Sequence, residues 1–230
     1  MILSKLPSNS KPIDDLLRGG LEVDVITNIY GPPGSGKTNI CFLFLLSALE
    51  QKKKAIFIDS ESNFSLERFF QIGGEKKHLK NILYFRMASF NDQKKVIKKL
   101  ETLVEKEKNY GIIIIDSFVS LYRLEISESN VIEINKELAK QLAILSNLSQ
   151  TKKIPVLITS QVYEDFETKK VEIVSRDIVK YWSKCLIELR KLSENRREAI
   201  LRKHRSLPEG RRAEFEIVEN GIAQPKFKLF

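Results

Sequence analysis

The chain has 230 residues, 42% hydrophobic and 30% charged, with a formal net charge of +9. That length holds one α/β domain with a full core and is short for two, so residues 1–230 read as a single domain. No apolar run reaches the roughly 20 residues of a membrane span, and "MILSKLPSNS" lacks the features of a secretory signal, so the expectation is a cytoplasmic protein with no membrane partner.

In chain order, "DVITNIY" (24–30) reads as a buried strand and "TNICFLFLLSAL" (38–49) as an apolar core helix. "KKAIFIDSES" (53–62) gives a second strand, "NILYFRM" (81–87) a third, "GIIIIDS" (111–117) a fourth and "KIPVLITSQ" (153–161) a fifth. Helical patterns fall between them, near 65–72, 91–107 and 130–149. Near-continuous Ile, Val, Leu and Phe in strands that alternate with amphipathic helices predict a mostly parallel sheet covered on both faces. From about 183 the pattern changes. "KCLIELRKL", "REAILRKH" and "AEFEIVENGI" read as three shorter strands, an antiparallel extension with a turn at Asn220-Gly221. Cys41 and Cys185 fall within predicted elements and read as small buried hydrophobes.

Between the first strand and the first helix lies "GPPGSGKT" (31–38), which fits G-x-x-x-x-G-K-[ST]. Glycines at 31, 34 and 36 let backbone amides turn inward on an anion, and the loop opens onto a helix N-terminus that favours negative charge. The expected triphosphate cradle is Gly31, Pro32, Pro33, Gly34, Ser35, Gly36, Lys37, Thr38 and Asn39. Lys37 reaches the outer phosphates and Thr38 ligates Mg²⁺. Asp116 ends the fourth strand, at the sheet edge where ligands bind in such folds. It reads as a second Mg²⁺ ligand, direct or through water, or else as the cap of a following turn.

The basic residues are unevenly placed. Residues 176–212 carry 12 basic against 5 acidic groups, whereas 162–175 carry 2 against 4. The first segment reads either as a polyanion surface, with Arg196, Arg197, Arg202, Arg211 and Arg212 as the DNA-contacting candidates, or as the charged surface of a heat-adapted protein. The lysine-rich helix near 91–107 reads as a solvated face.

"IDSESNFSLERF", the spacing of that strand from the loop lysine, "LITSQV" and the leading "SKPIDDLLRGG" together resemble the RecA/RadA recombinase family over nearly the whole chain. The resemblance implies a RecA-type P-loop NTPase core using ATP and Mg²⁺. Glu61 polarises the attacking water, Gln161 senses the γ-phosphate and relays its state to a DNA-binding loop, and Arg68 stacks on adenine. The absence of a preceding helical domain and the segment "RKHRSLPEG" match a group of short archaeal paralogues. In that group Lys203 and Arg205 would contact the phosphates of a neighbouring subunit, or else belong to the strand surface. "FRMA" (85–88) fits the family's Phe-x-x-Ala docking pattern, but it lies in the third strand and reads as core packing.

The family's two axial DNA loops fall here at about 120–130 and 162–175, and neither is basic or contains glycine. Tyr122 and Arg123 offer stacking to a base or simple packing, and Trp182 reads as core. The expectation is an ATP-binding accessory or mediator of homologous recombination and DNA repair, with weak ATPase. Its expected partners are single- or double-stranded DNA, other recombination proteins such as the main recombinase or a junction-processing nuclease, and a homo-oligomer. The alternatives are a filament-forming strand-exchange recombinase and a RecA-fold signalling ATPase or phosphotransferase.

Overall fold

A computed structural model describes residues 5–164, 171–173 and 176–225. The elements run β1 (Lys5–Leu6), α1 (Lys11–Leu17), β2 (Leu21–Glu22), β3 (Ile26–Tyr30), α2 (Lys37–Glu50), β4 (Lys54–Asp59), α3 (Leu66–Gln71), α4 (Lys76–Leu79), β5 (Ile82–Arg86), α5 (Phe90–Lys106) and β6 (Tyr110–Asp116). They continue with α6 (Ser120–Glu125), α7 (Val131–Lys152), β7 (Val156–Ser160), β8 (Val162–Glu164), β9 (Val171–Ile173), α8 (Arg176–Trp182), β10 (Cys185–Lys191), β11 (Arg196–His204), β12 (Arg212–Val218) and β13 (Gly221–Ala223).

Nine strands form one sheet in the order β13-β12-β11-β10-β3-β7-β6-β4-β5. From β10 to β5 every pairing is parallel, and from β10 to β13 every pairing is antiparallel. The two-residue period of a strand divides β6 between two cores. Ile112 and Ile114 pack with α1, α2 and α3 on one face, and Ile113 and Ile115 with α5, α7 and α8 on the other. Both faces are covered, which is why the central strands read as unbroken apolar runs. Helix α5 buries Phe90, Gln93, Ile97, Leu100 and Val104, one stripe at helical spacing, and the Ser89 hydroxyl caps it by accepting from the Asp92 amide.

Two sequence expectations change here. The last predicted strand is two, because the chain turns at 219–220 and Gly221 takes φ 121°, a left-handed value that a side chain would strain. The first axial loop is in part a helix. Leu121 and Tyr122 are an apolar pair that docks on the second core, Tyr122 lying edge-on to Phe90 with its hydroxyl donating to Asn135 at 2.6 Å, so α6 forms and the tyrosine packs rather than stacks on a base. Trp182 and Phe85 pack partly buried on the same core, as expected. Cys41 and Cys185 are buried thiols. Of the second axial loop, residues 165–170 and 174–175 lie outside the described residues, Lys169 and Lys170 among them; the flanking strands β8 and β9 pair antiparallel.

Candidate functional site

The parallel strands deliver their carboxyl ends to one edge of the sheet, and the functional side chains gather there. The loop Gly31–Thr38 joins β3 to α2, and α2 begins without a side-chain cap on Gly36, at φ 102°. The first amides of this helix are therefore left for an anion. Gly31 lies so close to β10 that a Cβ there would meet the Leu189 carbonyl oxygen at 2.5 Å, which only glycine avoids. Lys37 folds back over the loop, its Nζ donating to the Gly31 and Pro32 carbonyls at 2.8 and 3.1 Å. Burial pushes its ammonium below the usual 10.5, and the nearby Asp116 and Glu61 carboxylates oppose that shift. An anion in the cradle gives this lysine a charged partner in place of two neutral ones.

Asp116 is 1% exposed at the end of β6. It accepts from Thr38 Oγ1 at 2.6 Å through one oxygen and from Thr159 Oγ1 at 2.5 Å through the other. Burial raises its carboxyl above the ordinary 3.8, against the two threonine hydrogen bonds. A carboxylate and a hydroxyl from different elements, in contact at the mouth of a phosphate loop, are a hard-oxygen donor pair that fits Mg²⁺. Asp116 would then hold the ion directly or through water.

Opposite the loop stands Glu61. Its Oε1 accepts from Gln161 Nε2 at 2.8 Å and its Oε2 from Asn63 Nδ2 at 3.1 Å. The turn that carries it is built by Asp59, fully buried at the end of β4, which accepts from the backbone amides of Glu61, Asn63 and Phe64 at 3.1, 3.1 and 3.0 Å and from the Tyr84 hydroxyl at 3.0 Å. Burial, then that hydrogen bond, pushes the Tyr84 phenol up to about 12. Sequence reasoning missed Asp59 and Thr159. The signal for Asp59 was present, since an Asp followed by Ser-Glu-Ser-Asn is the pattern of a side chain folding its own backbone into a turn.

A cavity of about 390 Å³ is lined by Lys37, Thr38, Glu61, Asp116 and Gln161 together with Arg68 and Ile217. Arg68 donates through Nε to Asn39 Oδ1, through one terminal nitrogen to Gln71 Oε1 and the Glu219 carbonyl, and through the other to the Val218 and Gly221 carbonyls. All five N–H groups of the guanidinium are thereby engaged in its plane. What remains is its face, the surface that stacks on an aromatic base.

The late arginines stand differently from the sequence expectation. Arg197 is 7% exposed and donates from Nε to the Gly34 carbonyl at 3.1 Å and from a terminal nitrogen to the carbonyls of Ser193, Glu194 and Arg196. It props up the phosphate loop and is too buried to meet DNA. Arg196 pairs with Glu214 at 2.6 Å, Arg202 with Glu188 at 2.6 Å and Arg212 with Glu198 at 3.1 Å, while Arg211 donates to the Leu16 and Asp15 carbonyls. The register explains this. Arg196 lies across from Glu216 and Arg212 across from Ile200, so Arg196 reaches Glu214 and Arg212 reaches Glu198 diagonally, two residues along the facing strand. A count along the chain returns an excess of cations because it cannot see those pairings.

Lys203 and Arg205 sit at the far end of β11. That strand runs antiparallel to β10, so they lie away from this chain's own phosphate loop. Lys203 Nζ donates to the Lys180 carbonyl at 2.7 Å, and Arg205 pairs with Glu22 at 2.7 Å and Asp24 at 2.6 Å.

Comparison with known proteins places the chain in a family. The Rad51 family model matches residues 2–225. The DNA repair and recombination protein RadB of Methanobrevibacter smithii is 39% identical over 225 residues, 95% of each chain. The RadB protein of Thermoplasma volcanium is 40% identical over 222 residues, 96% of this chain and 93% of its own. Among solved structures, the crystal structure of the RadB recombinase superposes with a TM-score of 0.82 at 31% identity, covering 96% of this chain and all of that one.

Proposed function

This chain belongs to the Rad51 family, similar to its RadB members over nearly its whole length, and on that premise we propose that it is an ATP- and DNA-binding accessory protein of homologous recombination and DNA repair, hydrolysing ATP slowly and without efficient strand exchange of its own. The observation that carries the nucleotide half is the convergence of Lys37, Thr38, Asp116, Glu61 and Gln161 on one cavity, from four separate stretches of chain. The accessory half is supported by α6, a packed helix in place of a basic glycine-rich loop.

The residues divide the work. Lys37 leaves the Gly31 and Pro32 carbonyls for the outer phosphates of ATP, and the amides at the start of α2 bind the inner ones. Thr38 and Asp116 would hold Mg²⁺, which would supply positive charge to offset that of the phosphates. Glu61 accepts from a water and holds it in line with the γ-phosphate. Gln161, already bonded to Glu61, reads whether a γ-phosphate is present and carries that state into β8. Arg68 stacks on the base with the one surface its hydrogen bonds leave free. Recombination proteins, a second copy of the chain among them, are the expected protein partners, and Lys203 and Arg205 would act on a neighbour's phosphates only if Arg205 leaves Glu22 and Asp24.

The test is binding of single- and double-stranded DNA by the purified protein with ATP, with ADP and without nucleotide, alongside ATP turnover. DNA binding with slow turnover that DNA stimulates little is the expected result. Strong stimulation together with filament formation would replace the accessory reading with that of an active recombinase.

A further inference from the structure

Glu61 is tethered on both sides. Gln161 holds its carboxylate, and the residue before it, Ser60, is hydrogen-bonded into the segment that follows Asp116. The Ser60 backbone amide donates to the Asp116 carbonyl at 3.1 Å. Its Oγ lies 3.0 Å from the Ser117 amide, 2.6 Å from the Ser117 carbonyl and 2.6 Å from Ser120 Oγ. A hydroxyl has one proton to give and two lone pairs. One assignment satisfies all three contacts: Ser60 donates to the Ser117 carbonyl and accepts from the Ser117 amide and the Ser120 hydroxyl.

Ser120 is the first residue of α6. The next two residues, Leu121 and Tyr122, seat that helix on the core, while Leu124 stands 83% exposed beside the exposed Arg123 and Glu125. The helix therefore has one end fixed next to Glu61 and an outer face open to solvent. Without the Ser120 hydroxyl, Ser60 loses its only bond to α6.

We propose that Ser60 and Ser120 are positioning residues that fix the Glu61 turn to α6, so that the placement of the water-holding carboxylate depends on α6 as well as on Gln161. This rests on Glu61 acting on water, as proposed above. The two hydroxyls bond each other and Ser117 rather than residues 31–39, and the Ser60 amide that holds the Asp116 carbonyl is kept in an alanine variant, so the link acts on the hydrolytic step and leaves nucleotide affinity alone.

The test is single-turnover ATP hydrolysis and direct ATP and ADP binding for Ser120→Ala, Ser60→Ala and Ser120→Thr, with thermal melting to confirm the fold. Ser120→Ala and Ser60→Ala are expected to slow the hydrolytic step about tenfold, the scale of a small misplacement of a positioned group, with both affinities within about twofold. Ser120→Thr keeps the hydroxyl and should recover the rate. In a Glu61→Gln background Ser120→Ala should have no further effect, because the serine acts only through Glu61. An unchanged rate in Ser120→Ala, affinities that fall along with the rate, or an undiminished effect in the Glu61→Gln background would each overturn the proposal. Failure of the underlying reading looks different: equal ATP affinity in the wild type and Lys37→Ala would remove the nucleotide site and the inference together.

Discussion

The two halves of the sheet use their side chains in opposite ways. In the parallel half the functional groups stand at strand ends and face a cavity, as with Asp116 on β6 and Gln161 just past β7. In the antiparallel extension the charged groups stand along the strands and face one another, Arg196 with Glu214 and Arg212 with Glu198. A strand-end residue keeps its environment whatever the neighbouring register, so a local motif suffices to find it. A mid-strand charge has its partner chosen by register, and no local motif records that.

The largest effect expected of this division is at Lys37. Lys37→Ala should lower ATP affinity by about a hundredfold or more, whereas Glu61→Gln should leave binding near normal and suppress hydrolysis. Calorimetric titration of both, with Arg212→Ala as the member from the extension, checks it. A comparable loss of ATP affinity in Arg212→Ala would erase the contrast between the halves.

Arg197 is the residue that crosses the division, since it stands in the extension and serves the parallel half. Removing it takes a donor from the carbonyls of Gly34, Ser193 and Glu194, while that of Arg196 keeps the Leu192 amide, so Arg197→Ala should cost about 2 kcal/mol or more of stability and roughly tenfold in ATP affinity. Denaturant melts with and without nucleotide measure both. Stability lost without any change in affinity would confine the extension to a structural role.

A smaller effect separates the far end of β11. The Asp24 carboxyl lies below its ordinary 3.8 chiefly through its hydrogen bond from Arg205. A depressed carboxylate contributes stability that is fully present above its unfolded value and is lost as the pH falls through the lower folded one. The stability advantage of the wild type over Arg205→Ala should therefore hold near neutrality and shrink as the pH is taken below 3.8. An advantage independent of pH would assign Arg205 to packing instead.

The smallest effect concerns DNA. A free cation on a phosphate changes the log–log salt slope by roughly 0.7 to 0.9 units. Arg196 and Arg212 already have carboxylate partners, so their replacement by alanine should change the slope by less than that. A full unit per residue would mean that DNA displaces Glu214 and Glu198, and would restore the late strands as its binding surface.

Most of the parallel half was legible in the sequence. The apolar runs gave its strands, the glycine spacing gave the phosphate loop, and the acid at the end of "IIII" gave Asp116. Glu61, Gln161 and Arg68 came from resemblance, and the cavity brings them together with the loop. Apart from Asp59, whose partners are local, what escaped were groups defined by distance in space. Thr159 is 43 residues from Asp116, and Arg197 is 163 residues from Gly34. Arg197 also misled because a buried arginine and a surface one are written with the same letter, and only the backbone carbonyls around it tell them apart.

The hold of Arg68 on residues 218–221 has a thermodynamic consequence. Strand β13 has three residues and lies at the outer edge of the sheet, the kind of element that frays first. Its Gly221 carbonyl is held by the guanidinium whose face is left for the base. Any free energy gained by stacking a nucleotide on that face is gained only by the molecules in which the guanidinium is in place, so binding and the closing of this edge are linked equilibria. Amide hydrogen exchange in β12 and β13 should then slow as nucleotide is added, and removing β13 should weaken nucleotide binding.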